Sequence, residues 1–133
     1  MRMLFVNLPV RDVAAARSFY EALGFTFHRL DSDEGSASMV VDESIVVRLL
    51  ARDRFAELVT GEVGDPASGP TVLLSLTADT REDVDDLVAR ALGSGGGPWL
   101  PPRDTASDHT GSFTDPDGHV WEIRWIDQLH VVN

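Results

Sequence analysis

Glu122 stands inside an otherwise apolar run of Val120, Trp121, Ile123, Trp125 and Ile126, broken only by Arg124. Strand alternation puts Val120, Glu122, Arg124 and Ile126 on one face and Trp121, Ile123 and Trp125 on the other, where Trp121 and Trp125 are expected to pack under a helix as core. A carboxylate in a half-buried strand is costly unless it meets a metal, a cation, a ligand or water. Which of these Glu122 meets decides what the chain can do. Just before it, Asp115, Pro116, Asp117 and Gly118 are a hairpin signal: Pro116 pre-sets the turn and Gly118 can take the positive φ that closes it.

Other residues carry weaker chemical signals. His109 follows Asp108, a dyad suited to acid–base work at a pocket mouth, although a solvated loop histidine is its simpler role. His119 reads as a hairpin residue, His28 lies on a polar strand face, and His130 lies in the tail. No pair of histidines has metal-motif spacing. Trp99, set among Pro98, Leu100 and Pro101, suits stacking on a planar ligand, with Phe5, Met39 and Phe113 extending an aromatic and thioether wall. Packing at a sheet edge is the equal alternative. There is no cysteine, which excludes disulfides, thiolate metal sites and thiol nucleophiles. The glycines from Gly93 to Gly97 follow a helix pattern instead of preceding one, so they are not a phosphate loop. No Ser-His-Asp spacing is visible.

The elements that must position these residues follow from periodicity. Met3 to Val10 alternates as a strand, with Phe5, Asn7 and Pro9 opposite Leu4, Val6, Leu8 and Val10. Asp12 caps a helix whose stripe is Val13, Ala16, Tyr20 and Leu23, and Gly24 ends it. Strands are expected over 25–30, 37–41 and 45–50, then a short surface helix over 52–59. A connector at 60–70, rich in Gly, Pro, Asp and Ser, leads to a strand over 71–78. A second helix follows, capped by Thr80 with Asp83 and striped by Val84, Leu87, Val88, Ala91 and Leu92. The stretch 98–102 is an edge strand at best, since proline cannot donate to a ladder. Residues 103–109 read as a mobile polar loop before the closing hairpin.

The order strand, helix, three strands therefore occurs twice, and Leu8 leading to Leu23-Gly24 echoes Leu76 leading to Leu92-Gly93. This internal duplication predicts an α+β fold of two βαβββ units, 1–59 and 71–133, within a single domain spanning 1–133. A curved mixed sheet with helices outside would surround a concave pocket.

Formal net charge is −11, from 22 acidic and 11 basic residues. That opposes binding to nucleic acid or anionic membranes and would favour a cationic ligand, although keeping the protein soluble is the simpler role of the charge. Asn7 and Pro9 interrupt the start too early for a signal-peptide core, and no apolar run approaches membrane-spanning length, so a cytoplasmic location is expected.

The paired units, the run Leu8 to Asp12 leading to Ser18, Phe19 and Tyr20 and to Leu23, Gly24 and Phe25, and the run Phe113 to Glu122 together resemble the vicinal oxygen chelate superfamily, the glyoxalase, bleomycin-resistance and extradiol-dioxygenase group. The resemblance implies a divalent metal held by His or Gln from the first strand of each unit and Glu or His from the last. Here those positions fall on Phe5, Leu73, Arg48 (Val47 if the register slips by one) and Glu122. Only Glu122 can ligate, because Phe and Leu offer no lone pair and Arg stays charged. Asn7, Ser75 and Thr77 share the faces of Phe5 and Leu73, and a two-residue shift would bring in only the weak amide ligand Asn7. No metal or cofactor is therefore expected, and an Arg48–Glu122 ion pair is expected in the metal's place, with Arg124 as the fallback cation.

The resemblance leaves two classes open. One is a homodimeric, metal-free protein of bleomycin-resistance type that sequesters a bulky cationic or polyaromatic natural product. The other is a lyase or dioxygenase using a non-standard ligand set, or acid–base chemistry from Glu122, His109 or Tyr20. The ligand-binding set expected for the first is Phe5, Asn7, Met39, Arg48, Leu73, Ser75, Trp99, His109, Phe113 and Glu122.

Overall fold

The computed structural model describes residues 1–29 and 32–127. His130 and the expected end of the second strand at Leu30 lie outside them. Two compact units, 1–65 and 66–133, divide the chain, and their boundary falls inside the expected 60–70 connector.

In the first unit, β1 (Leu4–Val10) runs parallel to β4 (Ile45–Ala51), and β3 (Ser36–Asp42) and β2 (Thr26–Phe27) follow antiparallel in the order β1-β4-β3-β2. Helix α1 (Val13–Ala22) starts where Asp12 Oδ1 accepts the Ala15 amide at 3.0 Å. It ends at Leu23, with Gly24 at φ 101°. The alternation puts Leu8, Val10, Ala37, Met39, Val47 and Leu49 on one face, and all are buried. They match the buried side of α1, which packs on β3 and β4 through Val13, Ala16, Phe19 and Tyr20. Phe5, Asn7, Ser38, Val46 and Arg48 share the opposite face. The expected strand over 25–30 shortens to two residues, and the expected helix over 52–59 to α2 (Arg52–Ala56). The Arg52 guanidinium donates to Val63 O at 2.9 Å and Gly64 O at 3.2 Å, holding the start of the connector.

The second unit repeats the plan. Strand β5 (Leu73–Thr77) runs parallel to β9 (Val120–Ile126), which pairs antiparallel with β8 (Asp108–Thr114). Two short strands, β6 (Gly97–Pro98) and β7 (Arg103–Asp104), both pair with β8. Helix α3 (Arg81–Gly93) starts at Thr80, whose Oγ1 accepts the Asp83 amide at 3.0 Å. The helix lies close against β8: a Cβ on Gly111 would stand 2.8 Å from Val88 Cγ2. Register places Phe113, Trp121, Gly111 and Ile123 on this helix-covered face, and Phe113, Trp121 and Ile123 are buried there.

Two expectations are corrected in this unit. Residues 103–109 are not a free loop, because β7 and the start of β8 occupy most of them. The alternation of Asp108, Thr110 and Ser112 against His109, Gly111 and Phe113 extends the hairpin strand back to Asp108. Trp125 is half-buried and not core, with the Arg81 guanidinium 4.4 Å above its ring.

The hairpin turn forms as its residues require. Asp115 Oδ1 accepts the amides of Asp117 at 3.0 Å and His119 at 2.8 Å, and Gly118 takes φ 97°. A Cβ at Gly118 would also meet Ala67 Cα at 2.8 Å, so backbone angle and space both select glycine.

Candidate functional site

Glu122 lies on the helix-free face of the second sheet, flanked by Ser75 on β5 and Ser112 on β8. Its side chain is 15% exposed. Ser75 Oγ donates to Glu122 Oε1 at 2.9 Å, and Arg103 Nη2 donates to Oε2 at 3.2 Å. Arg124 Nε lies 3.8 Å from Oε1. The carboxylate therefore faces two guanidinium groups, and the Arg124 fallback is present.

Arg124 also donates from Nη2 to Asp108 Oδ2 at 2.7 Å, and Thr110 Oγ1 donates to Asp108 Oδ1 at 3.0 Å. The Arg124 hydrogen bond, ahead of Thr110, lowers the Asp108 carboxyl below its ordinary value, and burial only partly opposes it. The same contact raises Arg124 further. This face is thus a charge-alternating chain from Arg103 through Glu122 and Arg124 to Asp108. Arg103 was missed in the sequence because a loop was expected there. Its alternation with Asp104, next to a strand of matching polarity, was the available signal.

The first unit's helix-free face carries Phe5, Asn7 and Arg48. Phe5 is 46% exposed. Asn7 stands beside Arg48 across β1 and β4. Asn7 Oδ1 and Arg48 Nε are buried without a hydrogen-bond partner among the described residues. Among the described residues Glu122 pairs with Arg103 and Arg124, and not with the expected Arg48.

The remaining expected ligand residues divide among other environments. Leu73 and Ser75 share the Glu122 face. Met39 and Phe113 are almost fully buried, at 0% and 1% exposure, on the helix-covered faces of their sheets. They form core and not a ligand wall, because the strand alternation turns them toward α1 and α3. Trp99 is 43% exposed and lines a cleft of about 470 Å³ between Leu92 of α3 and the proline-rich stretch ending at Pro102, with Asp85 at its rim.

His109 does not act with Asp108, because adjacent strand residues point to opposite faces. Its Nε2 lies 2.7 Å from Asp85 Oδ1 and its Nδ1 2.9 Å from Asp104 Oδ1. Both carboxylates accept, so the ring donates from both nitrogens when it is protonated. The Asp85 hydrogen bond raises the His109 pKa, with Asp104 adding to it against desolvation. Arg81 binds Asp104 in turn and donates to Thr105 O at 2.8 Å and Ala106 O at 3.0 Å. The group ties α3, β7 and β8 together, and no ring nitrogen is left for acid–base chemistry.

The family model for the Glyoxalase/Bleomycin resistance protein/Dioxygenase superfamily matches residues 2–123. The chain belongs to this superfamily. Among solved structures, a hypothetical protein from S. aureus is similar at 25% identity and a TM-score of 0.80, covering 94% of each chain. A glyoxalase/bleomycin resistance protein/dioxygenase family enzyme from Burkholderia phytofirmans PsJN is similar at 21% identity and a TM-score of 0.78, covering 95% of this chain and 99% of its own. A lactoylglutathione lyase from Agrobacterium tumefaciens shares the fold at 16% identity and a TM-score of 0.65, covering 92% of each chain. No curated protein sequence matches the chain significantly.

The glyoxalase superfamily implies a divalent metal, but the donor set here does not fit one. Glu122 is engaged by two guanidinium groups and a hydroxyl. The other implied positions hold Phe5, Leu73 and Arg48, none of which can donate a lone pair to a cation. No group of three or more His, Asp or Glu suited to a metal exists among the described residues. Among the described residues no helix is long and apolar enough to cross a membrane.

Proposed function

We propose that this glyoxalase-superfamily chain binds a small organic molecule on the helix-free faces of its sheets, without a metal ion. The observation that carries this is the state of Glu122, whose carboxylate is held by Ser75, Arg103 and Arg124 instead of being left free for a metal ion. Phe5, Asn7 and Arg48 of the first unit and Leu73, Ser75 and Glu122 of the second are the proposed ligand contacts. The role is sequestration, of the drug-resistance type. Exposed Phe5 supports a planar or polyaromatic ligand, because aromatic faces favour stacking. Overall charge attracts cations at long range, whereas the helix-free faces themselves present guanidinium groups. A homodimer in the cytoplasm is part of the same proposal.

Two measurements test it. Elemental analysis of protein purified without chelator is expected to find no stoichiometric metal. Zinc, nickel, iron or manganese at one per chain, lost in Glu122→Ala, would overturn the metal-free reading. Tryptophan-fluorescence titration with anionic, neutral and cationic polycyclic compounds is expected to show saturable binding, and a flat response across the panel would overturn sequestration. Light scattering on the eluting peak gives the oligomeric state.

A further inference from the structure

Asn7 and Arg48 stand side by side across the parallel ladder of β1 and β4, on the face opposite α1. Asn7 Oδ1 is an acceptor and Arg48 Nε–H a donor, and both are buried with no hydrogen-bond partner. Arg48 makes no ion pair among the described residues. A buried donor and acceptor left open in this way are costly, and a guanidinium cannot shed its charge to reduce the cost. At the equivalent place in the second unit, Ser75 and Glu122 satisfy each other at 2.9 Å. The described residues of the first unit therefore supply no partner for either atom.

The chemistry of the two atoms defines the missing group. Arg48 needs an acceptor that also carries negative charge. Asn7 Oδ1 needs a donor next to that acceptor. A cation satisfies neither requirement at Arg48, and a neutral carbonyl leaves both the charge and Asn7 uncompensated. Phe5, two residues from Asn7 on the same face and 46% exposed, offers a ring for an apolar or aromatic body. We infer that Arg48 and Asn7 bind an oxyanion with a hydrogen-bond donor on the adjacent carbon, and that aryl 2-hydroxy carboxylates are the ligand class. The carboxylate accepts from Arg48 Nε, and the hydroxyl donates to Asn7 Oδ1. The inference rests on the small-molecule reading above and reverses the ligand charge suggested by composition.

The test uses the full chain and three compounds sharing one phenyl ring: mandelate, phenylacetate and 2-amino-1-phenylethanol, titrated by calorimetry. Mandelate is expected to bind tightest. Phenylacetate, lacking the hydroxyl, should be weaker by about three- to tenfold, and the amine weakest. Arg48→Met should weaken mandelate by about tenfold or more while leaving the melting temperature unchanged or raised, because it removes a buried donor that has no hydrogen-bond partner among the described residues. Arg48→Lys should retain part of the affinity, and Asn7→Leu should erase the preference for mandelate over phenylacetate. The assignment is overturned if mandelate does not bind, if the amine binds as tightly, if Arg48→Met keeps mandelate affinity, or if Arg48→Met lowers the melting temperature. Binding of the amine alone would leave the small-molecule reading standing, whereas a flat response here and across the polycyclic panel would remove both.

Discussion

At equivalent points of the two repeats, Arg48 stands beside Asn7 and Glu122 beside Ser75. The ladders are the same, parallel and in matching register, yet one pair is bonded and the other open. The opposite faces diverge much less in kind. Ala37, Met39 and Val47 of the first sheet correspond to Gly111, Phe113 and Trp121 of the second, every one of them packed on the helix side. The helix-covered face exchanges volume between units: the larger Trp121 and Phe113 come with a glycine at 111, where a Cβ would press on Val88. The helix-free face exchanges chemistry. That face holds an ionic network in one unit and, among the described residues, an unpaired donor and acceptor in the other.

The volume exchange makes the largest prediction. Trp121→Ala should cost about 3–5 kcal/mol, since Trp121 is 3% exposed. Val47→Ala at the equivalent point should cost nearer 1.5 kcal/mol, from the smaller apolar volume removed. Urea-denaturation midpoints measure both, and equal losses would break the idea that the two cores are filled differently. Next in size is Glu122→Gln, which leaves Arg103 and Arg124 facing a neutral amide. A loss of about 1–2 kcal/mol is expected, at the lower end because Arg103 is 65% exposed. No loss would mean that the second unit's face is as open as the first.

Particular residues show how far this contrast was legible in the sequence. Asp12, Thr80, Gly24 and the turn from Asp115 to Gly118 act locally, through caps and backbone angles, and each does in the structure what its type predicts. Alternation placed Glu122 and Arg124 on one face correctly, because period two survives any tertiary context. It was not applied to Met39 and Phe113, whose chemistry suggested a ligand wall while their parity assigned them to the core. The strand placement of Arg103 and His109 was hidden by the prolines before them, which concealed the pairing of β7 with β8. The partners of Glu122 come from β5, β7 and β9, and pairing across such sequence distances leaves no local trace.

The second unit's ionic clusters also set its pH response. His109 has its pKa raised by Asp85 and then Asp104, so its stabilisation is fully present below the ordinary histidine value of about 6.5. It is lost as pH rises through the raised value. The facing charges are Asp85 on α3, Asp104 on β7 and, beyond Asp104, Arg81. Asp108 works at the other end: lowered by Arg124, it stabilises above the ordinary carboxylate value and loses that contribution as pH falls through the lowered one. Melting temperature should therefore decline as pH rises above about 6.5, and His109→Gln should flatten that limb while leaving the acid limb intact. An unchanged alkaline slope in His109→Gln would detach the pH response from this cluster.

The smallest effects test the comparison most directly, because they touch only the paired positions on the first strands. Ser75→Ala removes the hydroxyl that donates to Glu122 at 2.9 Å and leaves the arginine contacts in place. A loss of about 0.5–1.5 kcal/mol is expected, the usual net worth of one such bond. Asn7→Leu removes an amide whose buried Oδ1 has no hydrogen-bond partner, with a side chain of similar size and no polar atom left to satisfy. Stability should hold or rise slightly, because an unsatisfied acceptor is deleted without breaking a bond to it. Opposite signs at these two equivalent positions, read from denaturation midpoints in the absence of ligand, are what a closed face and an open one require. If Asn7→Leu loses as much as Ser75→Ala, Asn7 has a partner, and the first face is closed as well.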